Sequence, residues 1–196
     1  MTDTPFTELR SPRLVLRRLR RDDAAALCAY RSLPEVSRYQ SWESFAPEDA
    51  ARLIGEQSGM EPNVPGTWFQ LAIVCAATDA MIGDCGLHTR QDDPRQVELG
   101  ITLDPAHQGH GFAAEALACV LAYVFGELGK HRASAVTDAE NGRAAALFAR
   151  LGFRQEAHFV EHLWFKGRWG SEFTFALLRR EWEQSGRPSA RRVHSA

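Results

Sequence analysis

The chain has 196 residues, 44% of them hydrophobic and 24% charged, with a formal net charge of -2. That length suits one domain with a sizeable core. The near-neutral balance gives no sign of nucleic-acid binding, and no apolar run approaches the roughly 20 residues a membrane span needs.

In chain order, Arg13–Arg17 alternates apolar and polar and predicts a strand. Asp22 or Asp23 can cap a helix running from Ala24 to about Arg31, which Leu33-Pro34 ends. A loop with Tyr39, Trp42 and Phe45 follows. Pro47-Glu48-Asp49 opens a second helix, with proline and acids where a helix start favours them. The period then changes. Trp68–Ala76, Met81–His88 and Val97–Leu103 read as three consecutive antiparallel strands. Leu117, Val120, Leu121, Val124 and Leu128 share one face of a helix that Gly129 can end. Ala133–Thr137 is a short strand. Ala144, Leu147, Phe148 and Leu151 share another helical face, closed by Gly152. Phe153–Phe165 and Glu172–Leu178 form a terminal hairpin. Cys28, Cys75, Cys85 and Cys119 contain no C-x-x-C pair and fit free thiols of a reducing, cytoplasmic compartment. The whole is a single mixed α/β domain over 8–183. Residues 184–196 are expected to be a disordered tail.

Gly109, Gly111 and Ala114 spell G-x-G-x-x-A between a strand and a helix, which raises dinucleotide binding. Against it, Asp104–Gln108 separate the strand from the glycines, and the chain offers only one βαβ crossover. An anion site stays open, because the glycines allow close approach and a helix start presents unpaired amides.

Gln108-Gly109-His110-Gly111-Phe112-Ala113 matches Q/R-x-x-G-x-G/A, and in this respect the chain resembles the GNAT acyltransferase superfamily, whose pyrophosphate loop has that pattern. Asn141 and Leu151-Gly152-Phe153 resemble a downstream segment of the same family. Arg13–Arg17, Lys166–Trp169 and Arg180-Glu181-Trp182 are similar to its ribosomal-protein N-terminal acetyltransferase (RimJ/RimL-like) branch. The resemblance implies a central, mostly antiparallel mixed sheet splayed between strands four and five of the family fold. It also implies transfer of an acetyl group from acetyl-CoA to a primary amine by direct attack, with no metal.

Residue by residue, the resemblance makes Glu98 the base, acting directly or through water. Ile101–Leu103 would pair with the pantetheine arm, and their amides would face the acyl oxygen. Gln108, Gly109, His110, Gly111, Phe112 and Ala113 would hold the pyrophosphate. Asn141 would contact pantetheine or the reaction-site water, although an asparagine there is also a good helix cap. Phe148 occupies the place of a tyrosine proposed to protonate the thiolate, and Ala144 that of a serine. Neither can donate a proton, so Ser134, Tyr123, Tyr39 or water is left for that role. An acyl-CoA-binding sensor without efficient turnover is therefore a second reading. The acceptor pocket of the family places Tyr39, Trp42 and Trp164 near the amine, which is a protein N-terminus or a small molecule. Homodimers are common in the branch, and the acyl group could be larger than acetyl.

His158-Phe159-Val160-Glu161-His162 is literally H-x-x-E-H, a metalloprotease pattern that requires a helix. The segment reads instead as a strand, which would set the two histidines about 13 Å apart.

Overall fold

A computed structural model describes residues 6–186. One eight-stranded sheet runs through it in the order β1-β2-β3-β4-β5-β6-β8-β7. The strands are β1 (Glu8–Arg10), β2 (Leu14–Arg18), β3 (Trp68–Cys75), β4 (Met81–Thr89), β5 (Gln96–Leu103), β6 (Arg132–Asp138), β7 (Arg154–Phe165) and β8 (Arg168–Leu178). The helices are α1 (Ala24–Arg31), α2 (Pro34–Ser37), α3 (Pro47–Gln57), α4 (Phe112–Ala122), α5 (Gly142–Arg150) and α6 (Arg179–Gln184).

Alternation in the strands makes two faces. Phe69, Leu87 and Leu99 stand in register, as do Leu71, Cys85 and Ile101. These side chains form the main core with Leu117, Val120 and Leu121 of α4 and with Val124 of the π-helical turn Tyr123–Glu127 that continues it. The helical face expected from the sequence is thus the buried one. On the opposite face, Leu27, Tyr30, Val36, Phe45, Ala50 and Ile54 make a second apolar cluster under α1 to α3.

The only parallel pair among the described strands is β5 with β6. It covers just Gln96–Glu98 against Arg132–Ser134. Beyond that point β5 continues to Leu103 beside β4 and β6 to Asp138 beside β8 without pairing with each other, so the sheet opens into a wedge. This topology also disposes of the dinucleotide reading, which needs repeated parallel βαβ units.

Several boundaries differ from expectation. Pro34 does end α1, but it also opens α2, where its missing N–H costs nothing. Strand β1 is three residues long and too short to show a period. Strand β8 begins at Arg168 rather than Glu172, because the Lys166-Gly167 turn is tight and both residues have positive φ. Helix α6 reaches Gln184, where a disordered tail was expected to begin, and residues 187–196 of that tail lie outside the described residues. The H-x-x-E-H segment lies on β7, as its composition suggested, with an irregularity between Phe159 and Leu163. All four cysteines are free thiols.

Candidate active site

The wedge collects most of the residues singled out in the sequence. Glu98 stands at its apex, in register with His88 on one side and Ser134 on the other. It lies on the sheet face opposite the main core, half buried. Its carboxylate forms no hydrogen bond or salt bridge among the described residues. A carboxylate with open lone pairs on the floor of a cleft can accept a proton, directly or through one water. Ser134 beside it sends its hydroxyl to the Val97 carbonyl at 3.4 Å. Tyr123, another of the donors considered, is buried in the main core against Phe6, on the sheet face opposite Glu98.

At the wide end of the wedge, a 3-10 turn at Pro105–His107 leads from β5 into the glycine loop. Gly109 and Gly111 have φ of +81° and +80°, a left-handed conformation that costs other residues roughly 1 kcal/mol or more. The first helical bond of α4 runs from the Glu115 amide to the Gly111 carbonyl at 3.0 Å. The amides of Phe112, Ala113 and Ala114 therefore precede the ladder and face outward with the positive end of the helix.

Arg13 reinforces that positive charge. Its Nη1 donates to the His110 carbonyl at 3.0 Å and its Nε to Glu115 at 2.6 Å, and its guanidinium lies 4.5 Å from the centre of the Phe112 ring. Glu115 also accepts from the Arg13 amide and the Ser11 hydroxyl, both at 2.8 Å. These bonds hold the carboxyl of Glu115 below its ordinary value against the opposing cost of burial. The sequence offered Arg13 as the end of a strand and part of a branch-like segment but not as a brace of this loop, because its partners are about a hundred residues away.

Gln108 braces the loop. Its amide nitrogen donates to the Leu103 carbonyl at 3.1 Å, and its oxygen accepts from Arg143 at 2.9 Å. The side chains of Ile101 and Leu103 pack into the core, so β5 offers its backbone, not its side chains, to the wedge. Asn141 sits across the opening as the cap of α5, accepting from the Ala144 amide at 3.1 Å. Its helix-capping reading is thus the one the geometry displays.

Other predicted residues are drawn elsewhere. Phe148 is 3% exposed and packs between Phe153 and Phe175 in the core. Two aromatic rings thus flank its own. Trp164 is 63% exposed and stands T-shaped against Trp169 on the terminal hairpin. Trp42 packs on the second cluster, donates to the Arg31 carbonyl at 3.0 Å and carries the Arg31 guanidinium over its ring at 4.5 Å. Tyr39 likewise holds Arg38 over its ring at 5.1 Å.

A strap of charges crosses the mouth. Glu140 accepts from Arg168 at 2.8 and 3.0 Å and from Arg38 at 3.1 Å. Bonds from Arg168, then from Arg38, pull its carboxyl down to about 2. Lys166 on the hairpin donates to the carbonyls of Ser37 and Trp42. Gln40 reaches the Thr102 hydroxyl on β5 at 3.3 Å.

Comparison with known proteins agrees with this arrangement. Residues 13–154 match the family model described as "Acetyltransferase (GNAT) domain". A relative from Bacillus licheniformis, named "Uncharacterized N-acetyltransferase p20", is 32% identical over 180 residues, covering 92% of this chain and 98% of that protein. The "[Ribosomal protein uS5]-alanine N-acetyltransferase" of Escherichia coli (strain K12) is 27% identical over 187 residues, covering 92% and 95%. A crystal structure of spermidine N-acetyltransferase from Vibrio cholerae, in complex with CoA and spermine, superposes with a TM-score of 0.76 at 24% identity. It covers 88% of this chain and 99% of that one.

Proposed function

The chain belongs to the GNAT family of acetyl-CoA-dependent N-acetyltransferases, and from that premise we propose that the β5–β6 wedge holds acetyl-CoA while Glu98 takes the proton from a primary amine. The observation that carries this reading is the unpaired wedge, with a free carboxylate at its apex and a glycine-bent helix start at its mouth.

The residues fit the coenzyme. Gly109 and Gly111 leave the backbone approachable, the outward amides of residues 112–114 suit pyrophosphate oxygens, and Arg13 adds a cation beside them. The unpaired edge of β5 beyond Glu98 can hydrogen-bond the amides of a pantetheine arm as a neighbouring strand would. A thioester supplies an acyl carbon already reactive toward an amine, so positioning accounts for much of the rate. Backbone amides at Ile101–Leu103 donate where negative charge develops on the acyl oxygen. Ser134, in register with Glu98, carries a hydroxyl that can pass a proton. Asn141 keeps α5 positioned across the wedge.

The acceptor is a primary amine. The names of the relatives span a ribosomal-protein alanine and spermidine, so a panel of both kinds is the test. Thiol release from acetyl-CoA, followed with an alanine-starting peptide and with spermidine, is expected for at least one of them. Glu98→Gln is expected to lower kcat by about 10²–10⁴-fold with acetyl-CoA affinity kept. A Glu98→Gln protein as fast as wild type at neutral pH removes the glutamate from the mechanism.

A further inference from the structure

Four residues from four strands stand in one row on the open face of the sheet: Trp68, His88, Glu98 and Ser134. Cross-strand neighbours on one face have Cβ atoms about 5 Å apart. Trp68 therefore begins two strands from the free carboxylate, and its ring then leans toward the wedge. A Cβ on Gly86 would lie 2.9 and 3.0 Å from the indole carbons Cε3 and Cζ3, and one on Gly100 would lie 3.9 Å from Cζ3. Neither glycine has a positive φ, so the backbone does not demand glycine at these sites. At Gly86 the reason is steric, since a side chain there would collide with the indole and, also at 2.9 Å, with Oε1 of Gln70. The ring spreads toward Gly100 on β5, beside the wedge. His88 runs near-parallel to it, with centroids 5.0 Å apart and planes at 17°. Trp68 nevertheless remains 42% exposed.

The other aromatic rings near the mouth already carry a cation or stand on the hairpin tip, farther from Glu98. Arg38 lies over Tyr39, Arg31 lies over Trp42, and Trp164 is packed on Trp169. Among the described residues no arginine or lysine lies over Trp68. An exposed indole face with an unpaired carboxylate close by is the chemistry that recognises an alkylammonium ion.

We propose that Trp68 is the acceptor-docking residue, receiving the incoming primary ammonium on the indole face that His88 leaves open, on the same sheet face as Glu98. The inference rests on the acetyltransferase reading above. Amines arrive protonated at neutral pH. The ring attracts the cation, and loss of the proton toward Glu98 removes that attraction. The neutral amine is then free to reach the acyl carbon. His88 stacks on one face of the ring and Gly86 lies against its Cε3–Cζ3 edge. Trp68 thus sets acceptor affinity and leaves acetyl-CoA affinity alone.

The test compares wild type, Trp68→Phe and Trp68→Ala in initial-rate assays with spermidine and an alanine-starting peptide. Trp68→Ala should raise the amine KM roughly 3- to 30-fold, the range a cation–π contact supplies. Trp68→Phe should recover most of the loss, and the acetyl-CoA KM should not move in either variant. An amine KM unchanged in Trp68→Ala overturns the assignment, as does an equal rise in both KM values. Calorimetric titration of the protein–CoA complex with n-butylammonium separates this inference from turnover. Heat lost in Trp68→Ala but kept in Trp68→Phe supports docking at Trp68 even if no amine of the panel is acetylated. Heat unchanged in Trp68→Ala, or absent in wild type, overturns it.

Discussion

Glu98 and the cysteines show how local surroundings assign different roles to ordinary residues. Glu98 sits on an alternating strand, and its pattern alone says only that it faces away from the main core. Its candidacy came from family likeness, and its open carboxylate is visible only in three dimensions. The cysteines illustrate the converse. Burial pushes the Cys119 thiol up to about 11 and that of Cys85 higher still, whereas a hydrogen bond involving Thr78 lowers Cys75. Thiolate is the reactive form. Iodoacetamide at about pH 8 should therefore modify Cys75 well before Cys85 or Cys119, read by peptide mass mapping in the folded protein. Early labelling of Cys85 would show that its site opens. Trp68 was missed as a site residue for a residue-scale reason too. The meaning of Gly86 and Gly100 depends on cross-strand register, and two glycines in separate strands carry no local signal of it.

Long, strongly periodic elements were legible. Helix α5 and strands β3 to β5 appear within two residues of their expected bounds, because a core face imposes its period on the chain, and the helix expected to end at Gly129 is α-helical only to Ala122 and continues as a π-helical turn to Glu127. Strand β1 and helices α2 and α6 were not legible, being three to six residues long. The glycine loop was legible as a turn before a helix, but its brace to Arg13 was not. Links between elements escape a local reading, and the strap at the mouth is one of them. Glu140 joins the loop after α2 to β8 through Arg38 and Arg168. Its folded value of about 2 lies below its ordinary 4.5. The strap therefore contributes fully above about pH 4.5 and is lost as pH falls toward 2. Glu140 is exposed, so the effect is small and screened by salt. Urea midpoints of wild type should fall more steeply than those of Glu140→Gln across that window at low salt. Parallel curves would remove the strap from the stability of the folded state.

At the scale of the whole molecule, one sheet separates two apolar layers, and a buried polar cluster ties the second layer to it. Asp84 is 1% exposed. It accepts from Tyr30, from Gln70 and from Arg31, whose Nε lies at 3.1 Å. Burial and the adjoining Asp84 carboxylate raise the Tyr30 hydroxyl well above its ordinary value, so it stays a donor. An aspartate inside Met81–Leu87 is the sequence sign of such a cluster, although its partners are not inferable from the strand alone. Asp84→Ala would leave Arg31 buried without its counterion, at a cost of about 3–5 kcal/mol. Urea unfolding measures this, and a loss under about 1 kcal/mol would mean that water replaces the carboxylate. The two layers divide the work. On the proposed function, the core under α4 fixes the coenzyme cradle, and the layer of α1 to α3 walls the acceptor side. The claim that joins them is that the β5–β6 wedge with its glycine loop is the acetyl-CoA site. Calorimetric titration of acetyl-CoA into wild type and Gly111→Asp tests it most directly. The account predicts saturable binding by wild type that the aspartate abolishes, since it places a negative side chain at a left-handed position against the pyrophosphate. Equal binding by both proteins would contradict the account.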